Sequence, residues 1–227
     1  TCSIMQDNTV MCWGDIEGAV PSVLPYHVQM PPNSTVNSIS VGSHHACVIM
    51  DNATIWCWGP NWQGEIGDGT TNSSSAPSLV HLPQYESPIS VSAGHLATCA
   101  AMDSGNAYCW GNGNLGQIGN ALFADTSTPV QVTLPAGKEV LDISAGGNHA
   151  CAILNDAEIY CWGDNYANRL GVGAGEGKLI GTPTTVLMPL IPNTNYPSAA
   201  MSVSSGGQHT CTVLVNRSVY CWGVGEG

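Results

Sequence analysis

ISAGGNHACAILNDAEIYCWG, residues 143–163, contains a cysteine, nine residues, a second cysteine and then Trp-Gly. The device returns as Cys2/Cys12-Trp13-Gly14, Cys47/Cys57-Trp58-Gly59, Cys99/Cys109-Trp110-Gly111 and Cys211/Cys221-Trp222-Gly223, with Cys151/Cys161-Trp162-Gly163 the copy just quoted. It uses all 10 cysteines of the 227-residue chain, and its first cysteines recur after 45, 52, 52 and 60 residues. Such regular spacing marks a repeat architecture, in which each copy is one supersecondary unit that buries its apolar face only against its neighbours.

Within a copy, two short β-prone runs flank a cluster of turn formers. These are Asn155-Asp156-Ala157-Glu158 in the copy above and Asp103-Ser104-Gly105-Asn106 in the one before it. That punctuation predicts an antiparallel hairpin with the two cysteines facing each other across it. Closing so short a loop stabilises by roughly 2.5–3 kcal/mol in the chain-entropy picture. Five matched pairs with no odd cysteine favour disulfides over free buried thiols, and hence an oxidising compartment. Zinc is the other alternative, but nine intervening residues do not form the close Cys-x2-4-Cys knuckle.

Upstream of four pairs stands a short Ser-Gly-His element, as in "ISVGSHHAC" (39–47) and "MSVSSGGQHTC" (201–211). Downstream comes a polar loop, such as "PNWQGEIGDGTTNSSSAP" (60–77) or "NGNLGQIGNALFADTSTP" (112–129), shortened in the first copy to "DIEGAVPSVLP" (15–25). The Gly-x-Ile-Gly core of these loops lacks the Gly-Lys-Ser/Thr ending and following helix of a phosphate loop, so we read it as a tight turn.

The net charge is −12, and only Lys138, Arg169, Lys178 and Arg217 are cationic. No basic stripe can therefore neutralise phosphates, which argues against nucleic-acid binding. No apolar run approaches the roughly 18–20 residues needed to span a bilayer as a helix. Both ends interrupt a repeat, from which we expect a segment of a longer polypeptide.

Taken together, the words GxHxC(A/V)(I/L), (Y/W)CWG and G(Q/E)IG(D/N) resemble the repeat of the regulator of chromosome condensation superfamily in its cysteine-bearing, secreted form. The copies centre on residues 1–14, 39–59, 89–119, 143–173 and 201–223. The resemblance implies an all-β fold in which 1–227 is a single β-propeller segment of four-stranded antiparallel blades, part of a commonly seven-bladed ring. The founding member of the superfamily is a nuclear nucleotide-exchange factor for a small GTPase that docks on chromatin. This chain departs from it in lacking a basic surface, in pairing its cysteines and in having no insertion that looks like an exchange wedge, so exchange activity is not expected.

Among candidate site residues, His45, His149 and His209 lie two positions before a first cysteine and His95 four before. A repeated position usually serves the repeat, so we expect these imidazoles to make a recurring internal hydrogen bond rather than to hold a ligand. The Trp of each Cys-Trp-Gly is expected in the core between blades. Trp56, Trp62 and Tyr166 stand at places read as non-repeated and are the candidates for a binding surface. "GDGTTN" (67–72) and "DNYAN" (164–168) offer oxygen donors without a calcium-loop spacing, so no cofactor is expected and structural calcium is the alternative. No catalytic set can be assembled, and the chain is read as non-enzymatic.

Asn33, Asn52, Asn72 and Asn216 begin glycosylation sequons, and Asn52 and Asn216 both fall five residues after a first cysteine, at the expected hairpin tip. The functional expectation is a structural or adhesive module of an extracellular or cell-surface glycoprotein. Its partners would be other extracellular proteins, further domains of its own polypeptide or copies of itself, with N-linked glycans attached. The alternative is a secreted propeller that captures a protein or glycan ligand on its loop face.

Overall fold

The computed structural model describes residues 1–14, 22–173, 175–190 and 198–224. Among these residues the chain forms five antiparallel sheets in sequence order. The first holds β1 (Cys2–Ile4), β2 (Val10–Gly14) and β3 (Ser22–Val28). The second holds β4 (Val36–Val41), β5 (Ala46–Met50), β6 (Ile55–Gly59) and β7 (Ser74–Leu79). In the third are β8 (Pro88–Ala93), β9 (Ala97–Met102), β10 (Ala107–Gly111) and β11 (Thr126–Gln131). The fourth contains β12 (Val140–Ala145), β13 (His149–Leu154), β14 (Ile159–Asp164) and β15 (Leu179–Thr185). The last contains β16 (Ala200–Ser205), β17 (His209–Leu214) and β18 (Val219–Gly223).

Each sheet is a meander, and the sheets stack around an axis with β4, β8, β12 and β16 innermost and successive members in contact. This is a β-propeller, in which radial repetition covers most sheet edges and faces. Because neighbouring strands run antiparallel, all β4–β5-type turns and all loops after Cys-Trp-Gly emerge at one end of the axis. The hairpin tips emerge at the other.

The cysteines explain why the hairpins hold this register. Every pair is directly opposed, Cys2 with Cys12, Cys47 with Cys57, Cys99 with Cys109, Cys151 with Cys161 and Cys211 with Cys221. All five are bonded, with Cα atoms 4.1 Å apart. The period of two along a strand then sends cysteine and tryptophan to opposite faces. The cysteine face of the second blade packs on the tryptophan face of the third, joining Ile49, Ile55 and Ile66 to Met102, Tyr108 and Trp110. Equivalent clusters join the first to the second blade, the third to the fourth and the fourth to the fifth.

The Gly-x-Ile-Gly turns are part of the same packing. Gly67 Nα donates to the Gly64 carbonyl and Gly119 to that of Gly116, closing tight turns with φ of +78° and +79° at the second glycine. A Cβ at Gly67 or Gly119 would lie 2.7 Å from the indole nitrogen of Trp110 or Trp162 of the following blade. The motif is therefore the seat of the next tryptophan, and each indole N–H closes the contact by donating to a loop carbonyl, Trp110 to Glu65 at 2.8 Å and Trp162 to Gln117 at 2.9 Å. Residues 15–21 of the shortened first loop lie outside the described residues.

Candidate functional site at the axial mouth

The turns after the inner strands begin with glycines whose carbonyls link the blades: Ser43 N donates to Gly94 O, His95 N to Gly146 O and Gly147 N to Gly206 O. Serines one position before the strand ends repeat the link, with Ser40, Ser92 and Ser144 accepting from Ala93 N, Ala145 N and Ser205 N. Side chains this small leave the axis open. A cavity of about 570 Å³ lies there, lined by the glycine turns together with Ser43, His95, Asn148, Arg169 and Gln208.

Just outside the inner ring, two of the expected imidazoles serve the scaffold. His45 Nε2 lies 2.7 Å from Thr98 Oγ1, and that hydroxyl donates to the Glu65 carbonyl. Since the threonine proton is committed to the carbonyl, the imidazole must donate from Nε2 and is neutral there. His149, Thr210 and the Arg169 carbonyl repeat the relay in the fourth and fifth blades. Burial is the main cause that lowers the pKa of His45 to about 4, with His44 and His95 adding to it. His149 is lowered to about 3 by burial, then by Arg169 and His209. His209 sits on the exposed face of the fifth blade without such a hydroxyl among the described residues.

A second group of rings does not follow the repeat. His44 of the second blade faces His95 of the third, with ring centroids 5.2 Å apart, and Trp62 closes on His44 at 5.8 Å. Counting from the first cysteine, His44 and His95 occupy different repeat positions, so their meeting is a tertiary event. His95 has its pKa lowered by partial burial and then by His44. Sequence reading missed His44 because nothing in its local spacing distinguishes it from Leu96, Asn148 or Gln208, its counterparts in the other copies.

The three candidate aromatics fall in two settings. Trp62 and Tyr166 each stand four residues after a Cys-Trp-Gly tryptophan, at equivalent loop positions, and are 54% and 53% exposed at the mouth end of the axis. Tyr166 lies under the Arg169 guanidinium, 5.4 Å from ring centroid to Cζ. Trp56 instead shares its position with Tyr108 and Tyr160, is half-buried against the first blade and donates to Thr54 Oγ1. It belongs to the interface between blades.

The loop oxygens considered for calcium are engaged locally. Asp68 accepts from Thr70 N and Oγ1, Asn165 Oδ1 accepts from Leu170 N, and Asp164 pairs with Arg169 at 3.6 Å. Among the described residues no three His, Cys, Asp or Glu side chains converge on a point that could hold a metal. The remaining loop carboxylate of note is Glu65, buried with its pKa raised by that burial. One of its oxygens accepts from Gln63 N.

Asn33, Asn52, Asn72 and Asn216 are all exposed. At two hairpin tips the sequon doubles as turn chemistry: Asn52 Oδ1 accepts from Thr54 N and Oγ1, and Asn216 Oδ1 from Ser218 N and Oγ. Asp7 makes the same pair of bonds to Thr9, so the turn alone explains an Asn-x-Ser/Thr at this position. Asn33, Asn52 and Asn216 face away from the axial mouth, whereas Asn72 is on a mouth loop.

A disulfide-stapled propeller with a glycine-lined axial mouth and an aromatic rim defines the class of this molecule, a scaffold that presents loops around an axis. Models of the regulator of chromosome condensation (RCC1) repeat match residues 104–153 and 156–213, and, in a second form, 36–61, 89–117 and 140–169. The chain belongs to that family. Among curated relatives it is 26% identical over 200 residues to the ultraviolet-B receptor UVR8 of Arabidopsis thaliana, covering 88% of this chain and 43% of that one. The chain spans less than half the length of the curated relatives it matches. Among solved structures, Prp20p of Saccharomyces cerevisiae superposes with a TM-score of 0.83 at 19% identity over 99% of this chain and 56% of its own. The ectodomain of the Physcomitrella patens receptor kinase CR4 superposes at 0.60 and 21% identity, over 98% and 48%. At those identities the likeness shows the fold.

Proposed function

We propose that this chain is a non-catalytic interaction propeller of an extracellular or cell-surface glycoprotein, structural or adhesive in role and part of a larger propeller. The observation that carries the reading is the consumption of all ten cysteines in five bonded pairs, three of them wholly buried between blades. Disulfides so placed are made and kept in oxidising compartments. The relatives lend support to a protein-binding role: the Prp20p structure is described with that protein's binding to Gsp1p and histones, and the CR4 propeller is an ectodomain. Partners of this chain are on this reading other extracellular proteins or neighbouring domains.

A second reading, capture of a protein or glycan ligand on the loop face, is favoured by one observation. Trp62, His44 and His95 converge from two blades, with His95 lining the axial cavity, the arrangement of a few aromatic and hydrogen-bonding groups that ligand sites use. Mass spectrometry of the native protein, reduced and non-reduced, tests the first reading: five disulfides and glycan on at least two sequons are expected, and ten free thiols with bare asparagines overturn it. Trp62→Ala tests the second, since it should abolish binding to any captured ligand while leaving the fold intact. Nucleotide exchange on a small GTPase by the purified chain would refute the non-catalytic assignment.

A further inference from the structure

His44 and His95 stand on the turns that follow β4 and β8, and one hydrogen bond joins those turns, from Ser43 N to Gly94 O at 3.1 Å. Each histidine is the residue next to one end of that bond. The turns come this close because residue 42 is glycine, since a Cβ there would collide with the Gly94 carbonyl. On its other side His95 N is tied to Gly146 O, so the turn of the third blade is held from the blades on both sides.

A scaffold role for the pair would recur at other boundaries, as the relay of His45 and His149 does. It does not recur. The same two places hold Leu96 and Gly147 at the next boundary and Asn148 and Gly207 at the one after, on turns tied by the same link to a glycine carbonyl. These turns therefore form without imidazoles, and the meeting of two of them serves something other than folding.

Both rings are half-buried, their centroids lie 5.2 Å apart and their planes are inclined by 55°. An imidazole nitrogen bound to an ion at about 2.0–2.1 Å puts its ring centroid about 3.2 Å from that ion. Two ligands of one ion then have centroids about 4.5 Å apart at a right angle and about 5.2 Å apart at the tetrahedral angle. The pair already has that spacing. We propose that His44 and His95 together bind a divalent transition-metal ion, Cu2+ most tightly, with water in the remaining positions. Imidazole suits copper, nickel and zinc, and Cu2+ stands at the top of the first-row affinity order. Because the backbone and the ring spacing are set before the ion arrives, little ordering opposes binding. The net charge of −12 draws cations towards the chain. The site goes beyond the ligand-capture reading and requires no captured ligand.

Titration of the whole chain with copper(II) chloride alone, followed by tryptophan fluorescence and electron paramagnetic resonance, tests this. One equivalent should quench Trp62, whose ring lies 5.8 Å from that of His44, and the resonance spectrum should show coupling to two imidazole nitrogens. His44→Gln and His95→Ser give each turn a residue it carries in another blade, Gln208 and Ser43, so both should unfold at the wild-type temperature. Each should lose the two-nitrogen signal and weaken binding by at least about ten-fold. Trp62→Phe should keep the ion and lose most of the quench. His81→Gln, which removes an exposed histidine beyond β7, should leave binding unchanged. Equal binding by wild type and both variants of the pair overturns the proposal, as does a wild-type spectrum with a single nitrogen, or a quench undiminished in Trp62→Phe. The wild-type spectrum counts the ligands by itself, so a variant that failed to fold would not hide the answer.

Discussion

His45 of the second blade donates from Nε2 to Thr98 Oγ1 of the third across 2.7 Å, and Thr98 in turn donates to the Glu65 carbonyl of the second blade's loop. The threonine of one blade is thus held from two sides by its predecessor. The same Glu65 carbonyl also accepts from Trp110, so one loop oxygen anchors two groups of the next blade. Such a boundary resists lateral shear in a way that apolar packing alone does not.

Replacing Thr98 by Val removes the acceptor and leaves a buried imidazole N–H without a partner, which should cost about 1–3 kcal/mol. The converse experiment uses the alanine boundary. Ala97→His alone and Ala150→Thr alone should each destabilise, whereas the double variant should recover by roughly 1–2 kcal/mol of favourable coupling, read by denaturant unfolding in a double-mutant cycle.

Stability should fall as the pH drops from about 6.5 towards 4. His45 and His149 are held neutral when folded, at about 4 and about 3, but take up protons in the unfolded chain near 6.5. The unfolded state then binds more protons, so acid favours it; the contribution is complete above pH 6.5 and lost progressively below it. Thermal unfolding between pH 7 and 4.5 should show the decline. A variant with both histidines replaced by Gln should show a flatter profile.

Gly67→Ala and Gly119→Ala should be among the most damaging single-methyl additions, by roughly 2–4 kcal/mol, because each combines a left-handed backbone with a clash against an indole. Gly137→Ala, at a comparable φ of +74° with nothing within 4 Å, isolates the backbone cost and should lose only about 1 kcal/mol. Thermal unfolding of the three variants, with near-UV circular dichroism to follow the tryptophan environment, makes the comparison.

Asn52→Asp and Asn216→Asp should remove any attached glycan while leaving the unfolding temperature of the deglycosylated protein within about a degree, since Asp7 makes the same turn in the first blade. Asn52→Ala removes the turn acceptor too and should destabilise by about 1 kcal/mol. Mass and melting temperature together separate the two roles of the asparagine.

The repeat, the hairpins, the cysteine pairing and the tight Gly-x-Ile-Gly turns were legible in the chain because each depends on residues close in sequence. Trp56, Trp62 and Tyr166 look non-repeated in the chain because the residue types at their positions vary from copy to copy. Counting identities hides an equivalence such as Trp62 with Tyr166, which emerges only when positions are numbered from the tryptophan. The relay through His45 was expected in kind, as an internal hydrogen bond, but its acceptor lies in another blade 53 residues away.

By itself, then, the sequence determined that this protein is a series of disulfide-closed antiparallel hairpins, because turn chemistry and a fixed cysteine spacing act over ten residues. What only the tertiary structure decided is which side chains meet across blade boundaries: His44 with His95 and Trp62, His45 with Thr98, and the indoles with the glycine turns. Those meetings depend on how far each sheet is rotated about the axis against the last, and that rotation is set by the summed packing of whole faces, which no local pattern of residues encodes.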